Sequence, residues 1–340
     1  MSLNTIFCRY SFFIFACLSV SLVFGQAGND PSWKLLDNPL PGAHYSKVDF
    51  IDDNTGFAIG FPGILIKTTD GGKTWSDKSF SGGRGITAME FITAKTGFLA
   101  VDSSGIMKTE DAGDHWTKVL DPIPNTMVMN IQFLNEKTGF LFTNPNRIIL
   151  KTKDGGKTWS HMILNANFKE FTDEPAFKLQ HLYFLDEQKG YATANYGLAF
   201  KTIDGGKSWS TLRIRSLTAG VPFDQHPIIT SMFFINEQYG YLSNHMGRLF
   251  RSTNSGETWE RQESGISPSM ENALRDVQFI DTTNGFAAGD HGVILQTTNG
   301  GNSWQRMPAP TENLINDMFV IRKDLIYAVG FRGTLLKYSR

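Results

Sequence analysis

The sequence predicts an all-β chain, a seven-bladed β-propeller whose last blade is closed by an N-terminal strand. Three observations carry that expectation. The stretch Thr68-Thr69-Asp70-Gly71-Gly72-Lys73-Thr74-Trp75 returns five times, with tryptophans at Trp116, Trp159, Trp209, Trp259 and Trp304 spaced 41, 43, 50, 50 and 45 residues apart. A period of this size built from strand-like runs marks a repeat architecture. Each copy follows short, turn-bounded apolar runs, which read as buried strands rather than helices. Finally, the two ends of the chain supply complementary fractions of one more unit.

The recurring stretch has the chemistry of a turn. Asp or Asn accepts hydrogen bonds from backbone N–H groups a few residues on, Gly-Gly supplies positive φ, and Trp anchors the turn from beneath. The pattern Ser/Thr-x-Asp-x-Gly-x-Thr/Ser-Trp resembles the Asp-box, or bacterial neuraminidase repeat, a structural hairpin lock. Its expected positions are Asp70 and Trp75, Asp111 and Trp116, Asp154 and Trp159, Asp204 and Trp209, Asn254 and Trp259, and Asn299 and Trp304. One carboxylate per turn argues against metal or glycan sites on the boxes.

Taken in order, residues 1–25 come first. Arg9 is their only charge, and an apolar run from Phe12 to Phe24 follows. This reads as a secretory signal peptide; the alternative, a membrane anchor, has a run too short to span comfortably. Cys17 suggests a lipoprotein signal, but Phe15 and the apolar residues after it fit one poorly. The expected location is therefore exported, periplasmic or extracellular. Both cysteines, Cys8 and Cys17, lie in this segment, so residues 26–340 have no thiol nucleophile, disulfide or cysteine metal site. The formal net charge of −1 gives no nucleic-acid or membrane footprint. Residues 26–340 contain no linker or low-complexity tract and read as a single ring-shaped domain.

Each repeat has one grammar. The first runs Val48-Asp-Phe-Ile51, a polar turn, Gly56-Phe-Ala-Ile-Gly60, then Ile64-Leu-Ile-Lys-Thr68 and the box. Three strands precede the Trp and a fourth follows it, as at Thr117–Leu120, which makes a propeller blade. Near the end, Met318–Ile321, Ile326–Gly330 and Thr334–Lys337 are three strands without a box. At the start, Ser32–Leu36 is a fourth strand without its first three, and Trp33 lies 42 residues before Trp75, in register. Pairing Ser32–Leu36 with Thr334–Lys337, with Trp33, Leu35 and Leu36 buried, would close the ring and leave no blade without a partner.

In a propeller the links between second and third strands surround the channel mouth. Register places there Phe61/Pro62, Asp102/Ser103, Pro145/Asn146, Asn195/Tyr196, His245/Met246, Asp290/His291 and Phe331/Arg332, with Arg147 and Arg248 just beyond. Candidate binding residues are Arg147, Tyr196, His245, Arg248, His291, Phe331 and Arg332. Insertions at 165–178 and 213–228, which carry apolar residues, are candidate contact loops. Arg147, Arg248 and Arg332 could converge on an anion. A glycosidase needs two facing carboxylates; Asp102 and Asp290 are candidates, with nothing to set them apart. No metal cluster, phosphate loop or nucleophile elbow appears, so no catalytic residue, metal or cofactor is expected. A basic residue also recurs on the third strand, at Lys67, Lys108, Lys151, Lys201, Arg251 and Lys337. The expectation there is a stem packed between blades with its head in water.

The chain resembles the photosystem II assembly and stability factor family, whose propeller repeats carry Gly-x-x-Gly-x-Ile-x-x-Thr-x-Asp-Gly-Gly-x-Thr-Trp. Gly60-Phe-Pro-Gly63-Ile64 through Trp75 matches that pattern, and Gly289-Asp-His-Gly292 through Trp304 nearly so. Asn254, Asn299 and His115 depart from it and are expected to weaken single turns. The resemblance implies a non-catalytic scaffold, here an exported monomer that binds a protein partner such as an envelope or membrane-protein complex. The alternative is a polysaccharide-binding or sialidase-like Asp-box propeller with a glycan ligand.

Overall fold

Glycine, β-branched and aromatic residues alternating with turn chemistry produce short antiparallel meanders. In the computed structural model these are seven four-stranded sheets. The structure describes residues 32–80, 85–102, 105–144, 148–162, 164, 178–195, 197–212, 214, 228–269 and 271–339. Blade 1 is typical: His44–Phe50, Gly56–Phe61, Ile64–Thr68 and Ser76–Asp77 pair in that order. Blades 2 to 6 repeat the meander, with inner strands Ile86–Phe91, Met127–Phe133, Leu179–Phe184, Ile229–Phe234 and Leu274–Phe279.

Blade 7 joins the two ends of the chain. Ile315–Arg322, Leu325–Gly330 and Leu335–Ser339 form three strands, and Ser32–Leu35 adds the fourth. Trp33 pairs with Tyr338 and Leu35 with Leu336. The partner strand therefore begins one residue later, and extends two further, than the Thr334–Lys337 run expected from sequence. A second correction concerns Leu35. Trp33 is buried between blades 6 and 7, and Leu36 is partly buried against blades 7 and 1, but Leu35 is 58% exposed. It stands on the outermost strand, with no further strand to cover it.

The boxes repeat one hydrogen-bond circuit. In blade 1, Thr68 Oγ1 donates to Asp70 Oδ1 and accepts from Gly72 N–H, each at 2.9 Å. Asp70 also takes the Thr74 N–H at 2.9 Å and the Thr74 hydroxyl at 2.6 Å. These donors hold the carboxyls of Asp70, Asp154 and Asp204 down at about 2, led by the Thr74, Thr158 and Ser208 hydroxyls respectively. The three departures from the pattern keep the circuit closed. Asn254 and Asn299 reverse one bond, donating Nδ2–H to Thr258 and Ser303 at 2.9 and 2.8 Å, and His115 Nδ1 lies 2.7 Å from Asp111.

Aromatic rings weld successive blades. A ring on the second strand of one blade stacks on the Phe that ends the next blade's inner strand. The pairs are Phe57 on Phe91, Phe98 on Phe133, Phe140 on Phe184, Tyr191 on Phe234, Tyr241 on Phe279 and Tyr327 on Phe50. Such pairs contribute about 0.5–1.5 kcal/mol each beyond the area they bury. The box tryptophan then meets the same Phe edge-on, as Trp75 does Phe50 at 6.0 Å. The glycine opening the second strand of blades 1 to 6 is required by this ring: a Cβ on Gly97 would lie 2.6 Å from Phe91.

The recurring third-strand cations differ from expectation. Their stems do pack between blades, with Lys151 Nζ 5.0 Å from the Phe140 centroid. Their heads are not left to water, however. Lys67 reaches Asp114 of blade 2 at 2.8 Å, and Arg251 reaches Asn302 of blade 6 at 3.0 Å. Lys337 donates to the Gly71 carbonyl of blade 1 at 2.7 Å. Lys201 likewise reaches the Ser255 carbonyl and Glu257 of blade 5 at 3.1 and 2.5 Å, whereas Lys108 pairs with Glu110 of its own blade at 2.6 Å.

Candidate functional site: the channel mouth

The rim of the mouth is set by a repeated backbone bond. The first residue after the second strand donates its N–H to the carbonyl just ahead of the same blade's inner strand, 17 positions earlier in the chain. Asp102 bonds Gly85 (2.8 Å), Asn195 bonds Lys178 (3.0 Å), His245 bonds Ile228 (3.1 Å), Asp290 bonds Ala273 (2.9 Å) and Phe331 bonds Leu314 (3.0 Å). In blades 1, 6 and 7 a glycine precedes this point, and at Gly330 a Cβ would stand 1.9 Å from the Leu314 carbonyl oxygen.

Three of these side chains fold back onto the rim. The Ile228 N–H donates to His245 Nδ1 at 2.8 Å, and the Lys178 N–H to Asn195 Oδ1 at 2.6 Å. Asp290 accepts the Ala273 N–H at 3.3 Å and the Arg275 guanidinium at 3.0 and 3.4 Å. Sequence register placed His245 and Asp290 at the mouth without revealing that they brace it. Asp290, once offered as half of a carboxylate pair, is already neutralised by Arg275.

Other predicted residues are freer. His291 and Arg332 occupy the same link position in blades 6 and 7, and both hold left-handed backbones, with φ of 55° and 52°. Both side chains are exposed. Arg248 is partly buried in the blade 5 link, its N–H donating to Asn244 Oδ1 at 2.9 Å. Arg147, Tyr196, Ser103, Pro145 and Asn146 lie outside the described residues, as do residues 1–31 and nearly all of both insertions.

Sequence register placed Phe61 and Phe331 at the mouth but missed His44, the ring that stands between them. Phe331 is 42% exposed, and its ring centroid lies 4.5 Å from that of His44. His44 pairs in register with Phe61, which is 67% exposed and lies over Gly85 at the start of blade 2. Phe331, His44 and Phe61 thus follow one another across the seam of blades 7 and 1, beside Arg332. The available signal was that His44 precedes Phe61 by the 17 positions that span the rim.

Below the mouth, inner-strand side chains cross every seam of the channel. Asp49 accepts from Phe91 N–H (3.0 Å), Glu90 from Phe133 N–H (3.4 Å) and Gln132 from Phe184 N–H (2.7 Å). The Tyr183 hydroxyl donates to the Phe234 carbonyl (3.2 Å) and Ser231 Oγ to Asp276 (2.9 Å). Asp276 accepts from Met318 N–H (3.1 Å) and Asp317 from Val48 N–H (2.8 Å). Among the described residues no group of three or more His, Cys, Asp or Glu side chains is placed to hold a metal ion. Exposed rings beside a cation offer stacking, apolar and cation contacts to a ligand at the mouth.

The family model for Photosynthesis system II assembly factor YCF48 matches residues 26–122, 121–228 and 218–312. The chain belongs to that family. A Photosystem II assembly lipoprotein Ycf48 of Prochlorococcus marinus (strain NATL2A) is 37% identical over 57 residues, a match spanning 15% of each chain. Among solved structures, a YCF48 bound to D1 peptide superposes with a TM-score of 0.72 at 20% identity, covering 94% of this chain and 99% of that one. YCF48 from Cyanidioschyzon merolae gives 0.73 at 18% identity, covering 91% and 98%. At these identities the two structures share its fold.

Proposed function

We propose that the protein is an exported, non-catalytic assembly factor that holds a segment of a protein partner, in an envelope or membrane-protein complex, at its channel mouth. Family membership carries the reading, and the solved YCF48 with a bound peptide supports it. The binding surface consists of Phe331, His44 and Phe61 with Arg332, extended by His291 and by Arg248. Arg147, Tyr196 and the two insertions complete the proposed face. A closed ring acting as a monomer needs no second copy to present this surface. The apolar run from Phe12 to Phe24 supports export, as does the name of a lipoprotein relative.

The engagement of Asp290 by Arg275 weighs against a glycosidase or glycan-cleaving reading, which needs a free pair of carboxylates. The test is affinity purification of the protein from its native envelope, comparing the parent with a Phe331→Ala/Arg332→Ala double variant of unchanged melting temperature. The reading expects the partner to be lost with the double variant. Equal recovery of partner with both proteins would contradict it.

A further inference from the structure

The polar belt changes character where the chain ends meet. The seam of blades 1 and 2 and that of blades 2 and 3 each carry a single carboxylate, Asp49 and Glu90. The seams from blade 6 to 7 and from blade 7 to 1 carry Asp276 and Asp317, and Asp276 Oδ2 accepts the N–H of Met318, the residue that follows Asp317, which sets the two carboxylates on adjoining seams. Asp276 is 7% exposed and Asp317 partly buried.

Their donors differ. Asp276 takes four: Ser231 Oγ (2.9 Å), its adjoining Val277 N–H (2.9 Å), Gln278 Nε2 (3.0 Å) and Met318 N–H (3.1 Å). Donors alone suit an ionised carboxylate. On Asp317 the Val48 N–H occupies Oδ2, which leaves Oδ1 to carry a proton. Two carboxylates that share a poorly hydrated site do not both ionise easily.

We propose that Asp276 and Asp317 form a proton-linked clasp on the blade 6–7–1 seam, tight while Asp317 is protonated and looser once both carboxylates are charged. Burial raises both groups, and the charge of Asp276 pushes Asp317 further, well above the ordinary carboxylate range. The charged groups facing Asp317 are Asp276 on blade 6 and Lys47 and Asp49 on the first strand of blade 1; Lys47 opposes the rise and Asp49 adds to it. Around Asp276 the bonded side chains of Ser231 and Gln278 are neutral.

The sign follows from linkage. A group whose folded value is raised contributes stability fully present below its unfolded value and lost as pH rises through the folded value. Mild acid therefore tightens this seam and alkali loosens it. The same seam carries the ring contact of Phe331 and His44.

The experiment is denaturant unfolding at about pH 5 and about pH 8, comparing the parent with Asp317→Asn. An amide imitates the protonated acid, so the variant should unfold at higher denaturant than the parent near pH 8, with the gap shrinking near pH 5. Taking the difference between proteins cancels titrations common to both, including that of His181, which burial lowers to about 4. A gap of equal size at both pH values, or a variant no more stable than the parent near pH 8, would overturn the clasp. Should Asp317→Asn fail to fold, carboxyl-carbon NMR titration of the parent decides. One Asp carboxyl of the pair staying protonated above the ordinary range supports the clasp, and both ionised by about pH 5 overturns it.

Discussion

The Tyr327 hydroxyl of the last blade donates to the Gly71 carbonyl in the first blade's box at 2.8 Å, joining positions 256 apart in the chain. Lys337 reaches the same carbonyl, and the Tyr327 ring stacks on Phe50 at 3.8 Å. Removing the hydroxyl alone leaves the carbonyl with a donor, so Tyr327→Phe should cost only about 0.5–1.5 kcal/mol. Tyr327→Ala also loses the stacked ring and should cost about 3–5 kcal/mol. Urea unfolding of the two variants separates the terms.

The boxes should behave as locks. Thr152 is buried and accepts the Gly156 N–H at 2.9 Å, so Thr152→Ala should cost about 1–3 kcal/mol through the orphaned donor. Trp159 is partly buried against the Phe133 edge. Trp159→Ala should therefore cost about 3 kcal/mol, the lower end for a large ring. Unchanged denaturation midpoints in both variants would refute a structural role.

Acid should attack the Asp turns and spare the Asn turns. Asp70, Asp154 and Asp204 are held at about 2. Their stabilisation is present above the unfolded carboxylate value and is lost as pH falls through the folded value, between about pH 4 and 2. Asn254 and Asn299 close the same circuit without titrating. Asp154→Asn should fold normally and lose less stability between neutral pH and about pH 2 than the parent. Equal acid losses would show that these turns do not set acid stability.

Much of this molecule was legible in its sequence, because most of what builds the ring is periodic. Boxes, blade count and rim positions repeat, and Trp33 kept register even across the join. The channel belt was not legible. The position held by Asp276 and Asp317 carries Lys47, Ala88, Asn130, His181 and Ser231 in other blades, so no pattern survives. Leu35 looked like a core residue because period-2 alternation places it with Trp33, yet coverage depends on the neighbouring blade and not on the strand. Asn38 gave no signal either. It donates to the Gly333 carbonyl (3.0 Å) and accepts from the Tyr45 hydroxyl (2.6 Å), tying the first linker to the last blade.

Closure should be separable from the rest of the fold. Deleting residues 26–37 removes the outer strand of blade 7 and bares the Leu335–Ser339 edge. An exposed edge invites pairing with other chains, so the truncated protein should melt lower and aggregate. Differential scanning calorimetry with light scattering checks this; a monomer that melts like the parent would show that Ser32–Leu35 is dispensable.

Site-specific photocrosslinking in the native envelope tests the central claim most directly. A photoreactive residue would replace His44, Phe61 or Phe331 at the mouth, or Lys73, Lys157 or Lys207 on the box turns. The account predicts that the mouth positions capture one protein partner and that the box positions do not. Capture from the box positions with none from the mouth would contradict it.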